Sequence, residues 1–182
     1  MKISKKCKEL KKNIIILLMI EKYLNKGYLT LYIIPFALGS LTILSFEPFN
    51  FTIINFIIFP LFFYLLVYIN KKSKSVYRKK PYKKNLLTYG LAFGFGFYLI
   101  GISWITNSLT FDENFKILIP FALILIPLFL SLFIGLITLI IGPYLKLDFA
   151  SLLLFCASFA FSDYLRAYVL SGFPWNLWAY ST

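Results

Sequence analysis

Asp163 and Arg166 stand three residues apart inside an otherwise apolar stretch. At that spacing two side chains share a helical face and can pair. Charges within a bilayer are costly and turn toward the bundle interior or water. One reading is a neutralised structural pair near the outer interface. The other is that Arg166 reaches an anionic lipid phosphate, whose oxygens a planar guanidinium bonds two at a time, or orders the segment that follows. That segment is Ser171-Gly172-Phe173-Pro174-Trp175-Asn176. Gly172 admits turn conformations and Pro174 forbids an ordinary helix interior. Phe173, Trp175, Trp178 and Tyr180 suit a membrane–water interface. The segment reads as an aromatic anchor ending a helix, or as a re-entrant turn lining a lipid-facing site. Glu47, in the Glu47-Pro48-Phe49 turn, is an outer-interface acid that is either a solvated cap or part of such a site. Gly90, Gly94 and Gly101 fall on one helical face with Trp104 beside them. Gly90-xxx-Gly94 is the small-xxx-small pattern of closely packed helices; a lipid groove along the glycine face is the alternative.

Other chemistry is excluded. There is no histidine, hence no His-based triad, relay or metal site. Cys7 lies in a basic segment and Cys156 in an apolar one, so a disulfide would have to join cytoplasm to membrane. Cys156 reads as a small buried hydrophobe, since no base or cation beside it would activate a thiolate. Gly94-Phe95-Gly96 lacks the third glycine of a dinucleotide loop, with Leu99 in its place. No catalytic residue, metal site or cofactor is expected.

The elements that must position these groups follow from composition. The 182 residues are 60% hydrophobic, 20% aromatic and 14% charged. A soluble domain has roughly 45–50% apolar and about 25% charged residues. Too little polar surface is left to cover the chain, which reads as an all-α, multi-pass membrane bundle. Since about 20 apolar residues cross a bilayer, about five spans are expected, over 29–46, 51–69, 86–109, 117–141 and 149–170. Residues 1–28 read as a basic, interfacial cytoplasmic segment. Its apolar run Asn13 to Ile20 is too short to cross and is followed by Glu21, Lys22 and Tyr23 rather than by a cleavage site. The net charge is +12, and 16 of the 19 Lys and Arg residues lie in Lys2–Lys26 and Lys71–Lys84. Basic clusters flanking spans mark the cytoplasmic side, so the N-terminus is expected inside, and nucleic acid is not an expected partner. Continuous rather than alternating apolar runs disfavour a barrel.

Four stretches together resemble the N-terminal membrane region of the bacterial apolipoprotein N-acyltransferase family. They are Ala37-Leu38-Gly39 through Ser45-Phe46-Glu47-Pro48-Phe49; Gly94-Phe95-Gly96-Phe97 through Gly101-Ile102-Ser103-Trp104; Tyr164-Leu165-Arg166; and Ser171-Gly172-Phe173-Pro174-Trp175 with Tyr180-Ser181. The resemblance covers about Leu29 to Thr182. It implies a bacterial inner-membrane protein whose relatives move an acyl chain from phospholipid to the amino group of a lipoprotein's N-terminal diacylglyceryl cysteine. It also implies that the chemistry resides in a nitrilase-like domain with a Glu-Lys-Cys triad, beyond the stretch that matches. Neither Cys7 nor Cys156 falls at a triad position. Asp163 stands where the family often has Glu, and Ala167 where it often has Gly. The expectation is a membrane platform that does not catalyse alone: a fragment, one half of a split enzyme partnered by a separate nitrilase-like subunit, or a non-enzymatic lipid- or partner-binding relative. A small channel or transporter would need more intramembrane polar groups than Asp163, Arg166 and Asn107.

Overall fold

A computed structural model describes residues 27–76, 82–111, 113–169 and 178. Among them the chain is helical, without strands. Helix α1 (Ile34–Thr42) is entered through a wide turn, Leu29–Ile33, and left through a tight one, Ile43–Ser45. Helix α2 is Asn55–Val76, α3 is Tyr82–Gly101, α4 is Ile119–Ile141 and α5 is Phe149–Val169. Three stretches are long and apolar enough to cross a membrane: Thr52–Lys71, Lys116–Tyr144 and Phe149–Val169. The apolar helical stretch Leu29–Ser45 is shorter.

The third expected span does not run unbroken to Leu109. Helix α3 stops at Gly101, and a turn leads to the single helical turn Ile105–Ser108. Hydroxyl side chains bond the backbone throughout the turn that follows. Ser103 Oγ donates to the Ile100 carbonyl (2.8 Å), Thr106 Oγ1 to Ser103 (2.7 Å) and Thr110 Oγ1 to Asn107 (2.7 Å). Such bonds offer the backbone an alternative to the helical ladder. Trp104 therefore sits in a connecting turn, half exposed, and not within a spanning helix.

Helix α3 is the centre of the bundle, packed on α1, α2 and α4. Its Leu86, Tyr89, Phe93, Phe97 and Tyr98 are buried. Small residues allow the close approach. A Cβ at Gly90 would lie 2.0 Å from Thr138 Oγ1 and one at Gly94 2.9 Å from Ser131 Cα, both on α4. Hydrogen bonds cross the same seams: Thr138 Oγ1 to the Leu86 carbonyl (3.0 Å), Ser40 Oγ to Gly96 (3.3 Å) and Tyr89 Oη to Phe62 (3.2 Å). Polar bonds between helices are a membrane device, because hydrocarbon offers no other partner.

Helix α4 keeps its small and hydroxyl-bearing residues inside, beside the buried Leu130 and Ile134. Ser131, Gly135 and Thr138 are buried, while Phe121, Leu125, Phe129, Leu132, Leu136 and Ile140 are exposed. In water that arrangement would expose a continuous apolar stripe, whereas in lipid it is the expected one. At the base of α5, Asp148 Oδ1 accepts the Ser151 N–H at 2.7 Å. Hydrogen bonds from the Ser151 hydroxyl and N–H hold the Asp148 carboxyl below its usual range, as an N-cap does.

Candidate functional site

Asp163 and Arg166 are brought together near the end of α5. Arg166 Nη2 donates to Asp163 Oδ1 at 3.0 Å. Arg166 is 1% exposed, and its guanidinium carbon lies 5.1 Å from the centroid of the Tyr98 ring on α3, within cation–π range. The guanidinium is thus covered by its own bundle. Asp163 is less enclosed, and its second oxygen, Oδ2, accepts the backbone N–H of Trp178 at 3.1 Å. One carboxylate therefore joins a buried cation to the segment that follows α5.

The Trp178 ring completes the joint. It stacks on Phe97 (4.2 Å between centroids, 14° between planes) and meets Phe59 edge-on at 4.9 Å. Phe46 and Phe93 lie at 6.3 Å. Sequence reasoning assigns Trp178 to an interfacial belt; the structure packs it against the core instead. The physical reason is that Phe46 after α1, Phe59 on α2 and Phe93 and Phe97 on α3 present rings to receive it.

Beside this joint lies a cleft of about 810 Å³ between α2 and α5. Asn55, Phe56, Phe59 and Pro60 form one side. On α5 it runs from Ala167 through Asp163, Ala160 and Cys156 to Leu152, about 22 Å at 1.5 Å per residue. Small side chains at steps of three and four keep one face of α5 low, and α2 does not close over it. Asn55 and Asp163 put the polar groups at the end near Trp178. Cys156 is exposed and lines this cleft. That corrects its reading as a buried hydrophobe: its face of α5 has no helix packed on it.

Of the other sequence-singled residues, Glu47 is exposed in the turn after α1. That turn is closed by Phe49 and Asn50 N–H bonds to the Phe46 carbonyl (3.0 and 3.1 Å). Neither Glu47 nor Trp104 lines the cleft. Gly172, Phe173, Pro174 and Trp175 lie outside the described residues. Sequence reasoning missed Tyr98 and Phe59 as partners of the site. The low face Cys156-Ala160-Ala167 was the available signal for the cleft. Among the described residues no cluster of His, Cys, Asp or Glu could hold a metal.

A family model described as the apolipoprotein N-acyltransferase N-terminal domain matches residues 38–182. Curated relatives are similar over the same region. An apolipoprotein N-acyltransferase of Brucella melitensis is 30% identical over 149 residues, 80% of this chain and 27% of the relative. Those of Rhodopseudomonas palustris and Rickettsia typhi are 31% and 32% identical, covering 82% of this chain and 27% and 28% of theirs. The chain spans little more than a quarter of the length of these relatives.

Proposed function

Because the chain belongs to the apolipoprotein N-acyltransferase family through its N-terminal domain, we propose that it is the membrane portion of a lipoprotein N-acyltransferase. In this reading the α2–α5 cleft holds an acyl chain of a phospholipid donor. The observation that carries it is the cleft itself: about 810 Å³, long, apolar over its length and polar at one end. A spanning helix runs roughly along the membrane normal, as lipid chains do, so a groove down α5 has the direction an acyl chain needs. The ester end would lie by Asp163 and Trp178, where polar groups and a covering aromatic meet.

The roles of the residues follow. Arg166 and Tyr98 hold Asp163 in place; Asp163 holds Trp178; Trp178 forms the cleft wall beside the ester. Arg166 is a positioning residue here, because its covered guanidinium acts through Asp163. Five spans with the N-terminus in the cytoplasm of the bacterial inner membrane remain part of the proposal. Its support is that α1 to α5 fall within or close to the five apolar stretches and that the basic residues gather before α1 and between α2 and α3. We further propose that these 182 residues do not catalyse alone. Cys156 faces an apolar cleft, and the one acid on its helix, Asp163, stands seven residues away with its oxygens bonded to Arg166 and the Trp178 N–H, whereas acyl transfer through a thiol needs a base beside it.

The test joins residues 38–182 to the remainder of the Brucella melitensis relative and assays N-acylation of a diacylated lipopeptide from phospholipid. The chimera is expected to turn over, and the 182-residue chain alone is not. Ala160→Trp, which fills the cleft and leaves the Asp163 carboxylate in the chain, is expected to slow the chimera at least about tenfold, or about 1.4 kcal/mol. Turnover by the chain alone, or full rate in a folded Ala160→Trp chimera, would contradict the proposal.

A further inference from the structure

A second cavity, of about 300 Å³, lies at the opposite end of the bundle. It is bounded by the inner end of α2 and the connection between α4 and α5. Asn70 on its wall is 15 residues from Asn55, about 22 Å along α2. Lys71 and Lys146, both exposed, line it together with Val67, Pro143 and Leu147. Asn70 also lines it, is 5% exposed, and its amide oxygen has no hydrogen-bond partner. A buried acceptor left unmade is costly and calls for a donor. The surrounding loop is held in shape, with the Lys146 N–H donating to Ser151 Oγ at 3.0 Å and Ser151 N–H to Asp148. Asp148 offsets part of the Lys146 charge, while Lys71 has no acid within its own stretch, Asn70 to Asn85.

We infer that this cavity binds the headgroup of an anionic glycerophospholipid from the adjacent leaflet. The phosphodiester sits between the ammonium groups of Lys71 and Lys146. A headgroup hydroxyl donates to the Asn70 amide oxygen once the amide turns about its Cβ–Cγ bond to face the cavity. Leu147, 65% exposed beside it, gives the acyl chains an apolar surface to follow, which a free phosphate would not use. Two lysines favour a net negative headgroup over a zwitterionic one, and an orphan acceptor favours a headgroup that carries a donor. This site is separate from the α2–α5 cleft and stands whether or not the cleft holds an acyl chain.

Native mass spectrometry of the full chain released from phosphatidylcholine nanodiscs, doped equally with phosphatidylglycerol and phosphatidylmethanol, tests it. Phosphatidylglycerol is expected to be retained at least about tenfold over phosphatidylcholine, and above phosphatidylmethanol, which is anionic but lacks the hydroxyl. Lys71→Gln and Lys146→Gln should each lower that retention about fivefold, the equivalent of about 1 kcal/mol for a lysine near an anionic surface. Lys116→Gln, whose lysine pairs with Glu113 outside this cavity, should not. Asn70→Leu should erase the preference over phosphatidylmethanol while keeping that over phosphatidylcholine. Equal retention of phosphatidylglycerol and phosphatidylcholine, or unchanged retention in both lysine variants, overturns the site. Equal retention of phosphatidylglycerol and phosphatidylmethanol overturns the Asn70 contact. Displacement of the lipid by soluble glycerophosphoglycerol overturns the lipid assignment in favour of a free phosphodiester.

Discussion

Gly39→Ala is expected to destabilise the protein by about 3 kcal/mol or more, at the upper end of overpacking costs. A Cβ at Gly39 would lie 2.0 Å from the Phe93 carbonyl oxygen, 2.9 Å from its carbon and 3.0 Å from the Phe97 nitrogen. All three are backbone atoms of α3, so no rotamer change relieves the clash and the helices must part. Parting them also strains the Ser40–Gly96 hydrogen bond at the same crossing. Gly135 gives the contrast. Its added Cβ would meet Leu91 Cδ2 and Cγ at 2.9 Å and Leu87 Cδ1 at 3.2 Å. These are side-chain atoms that can turn away, so Gly135→Ala should cost about 1 kcal/mol. Denaturant titration of both variants in detergent checks the order. A Gly39→Ala protein as stable as Gly135→Ala would show that α1 does not cross α3 where the structure puts it.

Arg166→Ala and Asp163→Asn should each cost about 3 kcal/mol or more, because removing one member of a buried pair strands the other. Arg166 is 1% exposed, so a protein with Asp163→Asn holds a buried cation without its counterion. The pair itself need not be a net gain over apolar residues of similar size. The double variant Asp163→Leu with Arg166→Met should therefore lose less than the sum of the single losses. The Asp163 variants carry a second signature. Asp163→Leu removes the acceptor for the Trp178 N–H and should loosen the Trp178–Phe97 stack, whereas Arg166→Met alone leaves that acceptor. A double-mutant cycle read by denaturant titration, with Trp178 emission followed in a protein carrying Trp104→Phe and Trp175→Phe, separates the two roles. Additive losses, with Trp178 emission unchanged in Asp163→Leu, would remove Asp163 from its place at the joint.

Much of this was legible in the residues. The i, i+3 spacing of Asp163 and Arg166 places them on one face, and the pair is there. The Gly90-xxx-Gly94 pattern marks a close helix crossing, and α4 supplies it through Ser131, Gly135 and Thr138. The second crossing was not read, although Gly96 stands two residues from Gly94 and hence about 200° around the helix. That offset turns Gly96 away from α4 and toward α1, where a Cβ would sit 2.2 Å from the Phe36 carbonyl oxygen. The end of α3 at Gly101 was also hidden, because hydropathy rises through Ile102 and Ile105 regardless of what hydroxyl side chains do to the backbone. The contact of Trp178 with Asp163 could not be foreseen from spacing. It depends on how a segment 15 residues away returns to α5, and local periodicity carries no information about that return. Cys156 was misjudged for a related reason: apolarity says that a residue avoids water, but in a bilayer it does not say whether protein or lipid covers it.

Photo-crosslinking reads out whether the α2–α5 cleft holds a phospholipid acyl chain. The chain is reconstituted with a phospholipid carrying a diazirine along its acyl chain, and the labelled residues are mapped by mass spectrometry. Labelling is expected to concentrate on Leu152, Cys156, Ala160 and Phe56, at least several-fold above the exposed outer stripe of α4 at Phe129, Leu132 and Leu136, and to be lost in Ala160→Trp. Labelling spread evenly over both surfaces, and unaffected by Ala160→Trp, would contradict that occupancy of the cleft.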